Sequence, residues 1–390
     1  MNTKPSESGR VGLPVIISAL RRGRIETAQH QTRDYQPAMP SFKNDNPPMD
    51  RATLRANIAA IPRVNIAHLP TPLEELHRLS AELGGPRILI KRDDATGLAM
   101  GGNKARHYEF ELAHLVEGGY DAYVNMMDYH SNNARMTAAA ANKFGIKYSC
   151  VLRYAAGREI QGNLLIDKVL GADLHLLDGA QSEQGAAEEY ARGLGRKLEA
   201  EGYKPYVRVD HEFPTIVGTL GYLNGALELL GQLEELGIHT AKIIGVGGRS
   251  TGGLTLAAKN LGLDWDITGV MVNYDMPIDS YLYEVIPGAA RIANLAVGFE
   301  PGDMNILDQY IGEGYGIPTQ EALDGIHMMA KTEAILTDPN YTGTVMAALI
   351  DQIKQGNFTK DDTVVILHTG GLPALFTFAD ELWKHEYTGV

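Results

Sequence analysis

The sequence predicts an α/β fold of two open, twisted, mainly parallel sheets with helices on both faces. Apolar stretches of four to six residues alternate with helical stretches of ten or more from Arg51 onward, which is the pattern of strands joined by helical crossovers. Glycine-rich strand-to-helix turns stand far apart in the chain, at Gly247–Gly253 and at Thr369-Gly370-Gly371. Such turns can present backbone N–H groups outside the carboxyl ends of strands, so the two predict half-sites closing on one ligand. Internal repeats and low-complexity runs are not evident.

Taken in order, Ala52–Ile61 and Thr71–Leu83 read as helices, the second with Thr71-Pro72 as cap and first helical position. Arg87–Lys91 is a short apolar strand, Gly97–Gly102 a turn, and Lys104 to about Gly118 a helix. Ala122–Met127 is strand-like, Arg135–Phe144 an alanine-rich helix and Tyr148–Arg153 a strand. The alternation continues through Gly162–Leu170, Leu174–Leu177, Ser182–Glu201, Tyr206–Val209 and Gly218–Leu236. A second series runs from Ile243–Val246 through the small-residue loop Gly247–Gly253, a helix to Leu261 and the strand Ile267–Val272, and closes with the strand Thr363–Leu367.

Composition narrows the function classes. With 390 residues, 44% hydrophobic and 21% charged, the chain can bury two cores, and its length predicts two or three domains. A formal net charge of −13 argues against nucleic-acid binding, which needs Lys and Arg to neutralise phosphates. No apolar run approaches the ~20 residues a bilayer span requires, so no membrane partner is expected. The single cysteine, Cys150, permits no intramolecular disulfide and no Cys-rich metal site, which favours a reducing, cytoplasmic compartment. Residues 1–49 are rich in Ser, Gln, Asn and Pro around the apolar Val11–Ile17. Because the positive charges of Arg21, Arg22 and Arg24 follow that stretch, a signal peptide is disfavoured. A transit peptide, an expression artefact and a true start at Met39 or Met49 stay open, with a poorly packed or non-native extension preferred.

The chemistry-bearing residue is Lys104, in Gly101-Gly102-Asn103-Lys104 at the start of a helix. Helix-start dipoles disfavour a protonated amine, and a lysine is nucleophilic only when neutral. By itself this short motif fits a solvated surface lysine better. Asp128, His130, Asp210, His211 and Glu212 are possible oxygen and imidazole ligands. They fall in two clusters with no testable ligand spacing, and a solvated or hydrogen-bonded loop is the expected reading. No Gly-x-Gly-x-x-Gly follows a strand with an acidic residue beyond it, so a nicotinamide-dependent oxidoreductase is not supported. A catalytically silent binding protein would be expected to lack Lys104.

The neighbouring segments change the weight on that lysine. Lys91-Arg92-Asp93-Asp94, Gly97–Arg106 and Ser131-Asn132-Asn133-Ala134-Arg135 resemble the core of the 1-aminocyclopropane-1-carboxylate deaminase and D-cysteine desulfhydrase family. Lys104 and Ser131 lie 27 positions apart, a spacing similar to that family's. Gly162–Leu165, Gly171–Asp173, Tyr315–Pro318, Leu336–Gly343 and His368–Phe376 extend the resemblance, in order, over about Arg51 to Leu382. It implies a tryptophan-synthase-β-like enzyme with pyridoxal 5'-phosphate in the cleft between a large and a small domain. The large domain is expected at 50–106 and 215–390, with the small α/β domain inserted at 107–214.

Carried over, the resemblance implies that Lys104 binds the cofactor aldehyde and exchanges protons with the substrate. It places Ser131 near the substrate carboxylate, Asn132 on the cofactor's ring hydroxyl, and Gly247, Gly248, Arg249, Ser250 and Thr251 in the phosphate loop. Tyr315 falls near the substrate and Tyr341 against the ring. Thr342 aligns with the position facing the ring nitrogen, and Thr369 precedes the last Gly-Gly. The deaminase branch has glutamate and leucine at these last two positions. Both threonines resemble the desulfhydrase branch, which removes a β-thiol from a small D-amino acid, with cyclopropane ring opening as the alternative. The implied partners are a small amino-acid substrate and further copies of the chain, as a homodimer or higher homo-oligomer.

Departures from the pattern point to a changed substrate. Met127–His130 replaces the usual glycines and glutamine, His107 stands where a basic residue is usual, and Asp210–Phe213 replaces small residues. Arg249 is bulky for a phosphate loop, although its charge could serve a phosphate or an acidic substrate.

Overall fold

The computed structural model describes residues 47–154, 159–274, 278–387 and 389. The expectations for residues 1–46 lie outside the described residues. Two sheets form. The larger has the order β1-β2-β10-β7-β8-β9 and the smaller β5-β4-β3-β6. In chain order the strands are β1 Leu73–Glu75, β2 Arg87–Arg92, β3 Ala122–Asp128, β4 Lys147–Arg153, β5 Asp173–Leu176, β6 Pro205–Val207, β7 Thr240–Val246, β8 Asp264–Val270, β9 Asn305–Leu307 and β10 Thr363–His368. Every pairing is parallel except β1 with β2.

Parallel strands covered by helices are buried on both faces, hence the near-continuous apolar runs. Ile88, Leu89 and Ile90 in β2 and Val364, Val365 and Ile366 in β10 have no exposed surface. The helices Lys104–Glu117 and Asn132–Lys143 follow β2 and β3, and Arg249–Leu261 follows β7. No helix among the described residues is long and apolar enough to cross a membrane.

Two local expectations are corrected. Thr71–Leu83 is not one helix: Leu73–Glu75 pairs antiparallel with β2, and the helix begins at His77. Arg87 donates to both oxygens of Glu75 (3.0 and 2.6 Å) and Arg92 to Glu74 (2.8 Å), so cross-strand ion pairs fix an edge strand that helix propensity opposes. The loop expected at Gly247–Gly253 already turns helical at Arg249. Gly252 and Gly253 are there for close packing: an added Cβ would lie 2.2 Å from Ile286 Cδ1 and 2.7 Å from Tyr222 Cβ, respectively.

The topology gathers three segments of the expected site. Strands β2, β10 and β7 are neighbours with a common direction. Their carboxyl ends therefore place the segments leading to Lys104, Thr369–Gly371 and Gly247–Thr251 along one sheet edge.

Candidate active site

The turn before Lys104 is held in a conformation that it would not adopt alone. Ala99 and Met100 have φ of 40° and 71°, values costly for residues with a Cβ. The fully buried Arg135 restrains it by donating to the carbonyls of Ala99 and Gly101, while Thr96 Oγ1 bridges Gly102 N and O at 2.8 Å each. Asn103 then joins the three loops: its N–H donates to Thr369 O (3.0 Å) and its Nδ2 to Ser250 Oγ (2.9 Å). The approach is so close that a Cβ on Gly370 would lie 2.8 Å from Gly102 Cα.

Lys104 is the first residue of its helix and half-buried. Burial, and then the positive charge of Arg249, push its amine down to about 7, against the opposing pull of Glu111. A lysine lowered this far is substantially neutral at neutral pH. Capture of an aldehyde by the cofactor-free protein should therefore accelerate with rising pH, as the amine deprotonates, with its midpoint near 7. Stopped-flow absorbance would measure this, and a midpoint in the ordinary lysine range near 10.5 would contradict the assignment.

The neighbouring hydroxyls and amides have defined polarity. Ser131 Oγ accepts from the N–H groups of Asn133 (3.1 Å) and Ala134 (3.3 Å), capping the Asn132–Lys143 helix. Asn132 Oδ1 accepts from Asn163 Nδ2 at 3.0 Å, which orients the Asn132 amide. At the start of the Arg249–Leu261 helix the first-turn N–H groups have no intrahelical acceptor, which is the arrangement that can receive an anion.

Side chains of this loop are already engaged. His107 Nδ1 faces Gly218 O at 2.7 Å and therefore carries the hydrogen, so Nε2 accepts from Ser250 Oγ at 3.2 Å. Burial, then the charges of Arg249 and Lys104, hold His107 well below its usual value and keep it neutral. Arg249 pairs with the buried Glu111 at 2.5 Å. Thr251 Oγ1 accepts from Gly248 N at 3.2 Å.

Tyr315 and Tyr341 share a hydroxyl hydrogen bond of 2.8 Å. Burial raises both, so both remain protonated. Thr342 opens a helix whose start is tied down by Asp338, which accepts from the N–H groups of Asn340, Tyr341 and Thr342 at 3.0–3.1 Å. Thr342 Oγ1 lies 3.2 Å from His368 Nδ1, and His368 Nε2 faces Leu336 O at 3.2 Å.

Sequence reasoning assigned no role to Asn103, Asp338 or His368. Asp-Pro shortly before a helical stretch is a cap signal that could have found Asp338. The suspected ligand clusters have partners of their own: Asp128 bonds Arg153 and Asp210 bonds Arg192, each at 2.8 Å, and His211 stacks on Tyr206. Among the described residues no group of three or more His, Cys, Asp or Glu could hold a metal ion.

A family model described as "Pyridoxal-phosphate dependent enzyme" matches residues 64–370. The chain belongs to that family. It is 34% identical over 332 residues to the D-cysteine desulfhydrase of Klebsiella pneumoniae strain 342, covering 84% of this chain and 99% of the relative. It is 33% identical to that of Salmonella typhi, covering 83% and 98%. A solved structure described as an ACC deaminase homologue superposes with a TM-score of 0.77 at 31% identity, covering 87% of this chain and all of that one. Within the family the chain therefore sits in the deaminase and desulfhydrase group, and its cofactor is pyridoxal phosphate. The residues present suit that group: a half-buried lysine with a lowered amine for an aldehyde, a helix start for a phosphate, and neutral hydroxyls and amides for ring substituents.

Proposed function

We propose that this enzyme eliminates a β-substituent from a small amino acid, releasing ammonia and a 2-oxo acid as a D-cysteine desulfhydrase-like lyase. The observation carrying this reading is Thr342, a fully buried neutral residue bonded to His368 where the deaminase pattern has a carboxylate. Bound pyridoxal phosphate supplies the electron sink. Lys104 would hold the cofactor through its aldehyde, and its neutral amine would take the Cα proton. Ser131 Oγ–H and the start of its helix would bind the substrate carboxylate, and Asn132 would donate to the ring hydroxyl. The N–H groups at Arg249, Ser250 and Thr251, with Gly247 and Gly248 shaping the turn, would hold the phosphate. Tyr341 would pack on the ring and Tyr315 would stand by the substrate, while Thr369 closes the turn against Asn103.

A hydroxyl does little to hold a proton on the ring nitrogen, so expulsion of a good leaving group is favoured over ring opening without one. Thr342→Glu should depress elimination, and Thr342→Glu with Thr369→Leu should admit slow cyclopropane opening. The test is 2-oxo acid release from D-cysteine, β-chloro-D-alanine, their L-forms and 1-aminocyclopropane-1-carboxylate. Turnover of the cyclopropane with none of the β-substituted compounds would overturn the proposal.

The same reading places a small domain at 107–214, supported by all four strands of the smaller sheet falling between Ala122 and Val207. It also takes the active form as a homodimer or higher homo-oligomer in the cytoplasm, the latter supported by the buried free thiol of Cys150.

A further inference from the structure

A cavity of about 360 Å3 lies by the carboxyl ends of β3 and β6. Elements that carry the site form its walls. Tyr108 and Glu111 stand four and seven residues beyond Lys104, on the same helix face. Asn133 adjoins Asn132, and the Tyr281 ring would lie 3.4 Å from a Cβ on Gly248. The cavity thus adjoins the proposed cofactor site.

Its charges are unequally engaged. Glu111 is paired with Arg249, and Glu188 is bonded by Gln184 (2.5 Å) and Arg192 (3.3 Å). Arg208 is fixed by His211 O and Thr215 Oγ1 and forms no ion pair among the described residues. Asn125 is 1% exposed; its Oδ1 accepts from Met126 N–H at 2.9 Å, while its Nδ2 has no acceptor among the described residues. A buried donor without an acceptor is unfavourable, and a ligand oxygen would relieve it. The remaining wall carboxylate, Glu212, is disfavoured as an anion by burial and by Glu284, with Arg208 acting the other way.

We infer that this cavity receives the distal end of the leaving group and selects one that terminates in a carboxylate, with Arg208 and Asn125 Nδ2 as its donors. The inference rests on the β-elimination reading and names a substrate class within it. For S-carboxymethylcysteine the Cα–H and Cβ–S bonds break, and the sulfur leaves with the bonding pair and takes a proton as mercaptoacetate. Water then enters, giving pyruvate and ammonia: one amino acid and one water yield one thiol, one pyruvate and one ammonia, with no net oxidation.

The test compares S-carboxymethyl-, S-carbamoylmethyl- and S-(2-aminoethyl)-cysteine on the holoenzyme, in both configurations, with β-chloroalanine as the substrate lacking a distal group. The carboxymethyl compound should exceed the other two in kcat/KM by about tenfold, the scale of one charge-assisted hydrogen bond. Arg208→Gln should erase that preference and leave β-chloroalanine turnover within about twofold, while Asn125→Asp should invert it toward the aminoethyl compound. Calorimetric titration with methylthioacetate gives a readout independent of turnover: binding should weaken about tenfold in Arg208→Gln, with no change for methylthioacetamide. Equal rates across the panel, preference for the aminoethyl compound, or equal losses on all substrates in Arg208→Gln would overturn the inference. Absence of any elimination, β-chloroalanine included, would instead remove the reaction reading, and the methylthioacetate titration would still decide what the cavity binds.

Discussion

Replacing Lys104 with alanine should abolish the visible absorption of the lysine-bound cofactor and lower turnover by at least about a thousandfold, within the range that a lost acid–base group produces. Lys104 is the amine that burial and Arg249 push down to about 7, and the proposal uses it twice, as anchor and as proton carrier. The turn presenting it is held by Arg135, Thr96 and Asn103, none of which depends on the lysine side chain. Folding should therefore survive, as far-ultraviolet circular dichroism can check, and added methylamine should restore part of the activity. A variant with normal absorption and turnover would mean that another lysine carries the cofactor.

The second large effect concerns stability. Arg106→Ala should destabilise the protein by about 3–5 kcal/mol, as expected when a buried ion pair loses one partner. Arg106 is 1% exposed and donates to both oxygens of Asp93 (2.9 and 2.8 Å) and both of Glu228 (3.0 and 2.8 Å). Lys91 adds a bond to Glu228 at 2.5 Å, and Tyr222 one to Asp93 at 2.5 Å. Removing the guanidinium leaves two carboxylates facing one ammonium. Arg106→Lys should recover part of the loss, since it restores the charge without the planar fork.

This network also sets an acid limit. Burial alone would raise Asp93 and Glu228, but Arg106 and their other partners outweigh it and both lie below their usual values of 3.8 and 4.5. Their stabilisation is full above about pH 4.5 and is lost as pH falls through the lowered folded values. Denaturant midpoints measured across acid pH in the wild type and in Arg106→Ala should converge as the carboxylates protonate. Parallel curves would exclude this origin.

Much of the fold was legible because long parallel strands and crossover helices follow their own periodicities. Lys104–Glu117 and β4 fall within a residue of expectation. Thr71–Leu83 misled because a three-residue edge strand is too short for any period, and cross-strand ion pairs with Arg87 and Arg92 decide its conformation. The helices Gln320–Glu333 and Thr342–Lys354 and the short strand β9 went unassigned; β9 again offers only three residues.

Local motifs gave the identity of the expected site residues, and strand adjacency brings the segments leading to Lys104, Thr369–Gly371 and Gly247–Thr251 together along one edge. What the sequence could not give was the commitment of each group. Arg249 reads as a free cation yet is spent on Glu111, and Ser250 reads as a phosphate donor yet bonds His107 and Asn103. These pairings depend on residues up to 147 positions apart, and no local pattern records them. Arg208 shows the converse: a charged residue in an unremarkable segment stands at a cavity wall without an ion pair among the described residues.

The most direct measurement is to load the enzyme with pyridoxal phosphate, reduce it with borohydride and map the modified peptide by mass spectrometry. The cofactor should be found on Lys104 at close to one per chain. Modification of a different lysine, or none at all, would contradict the account.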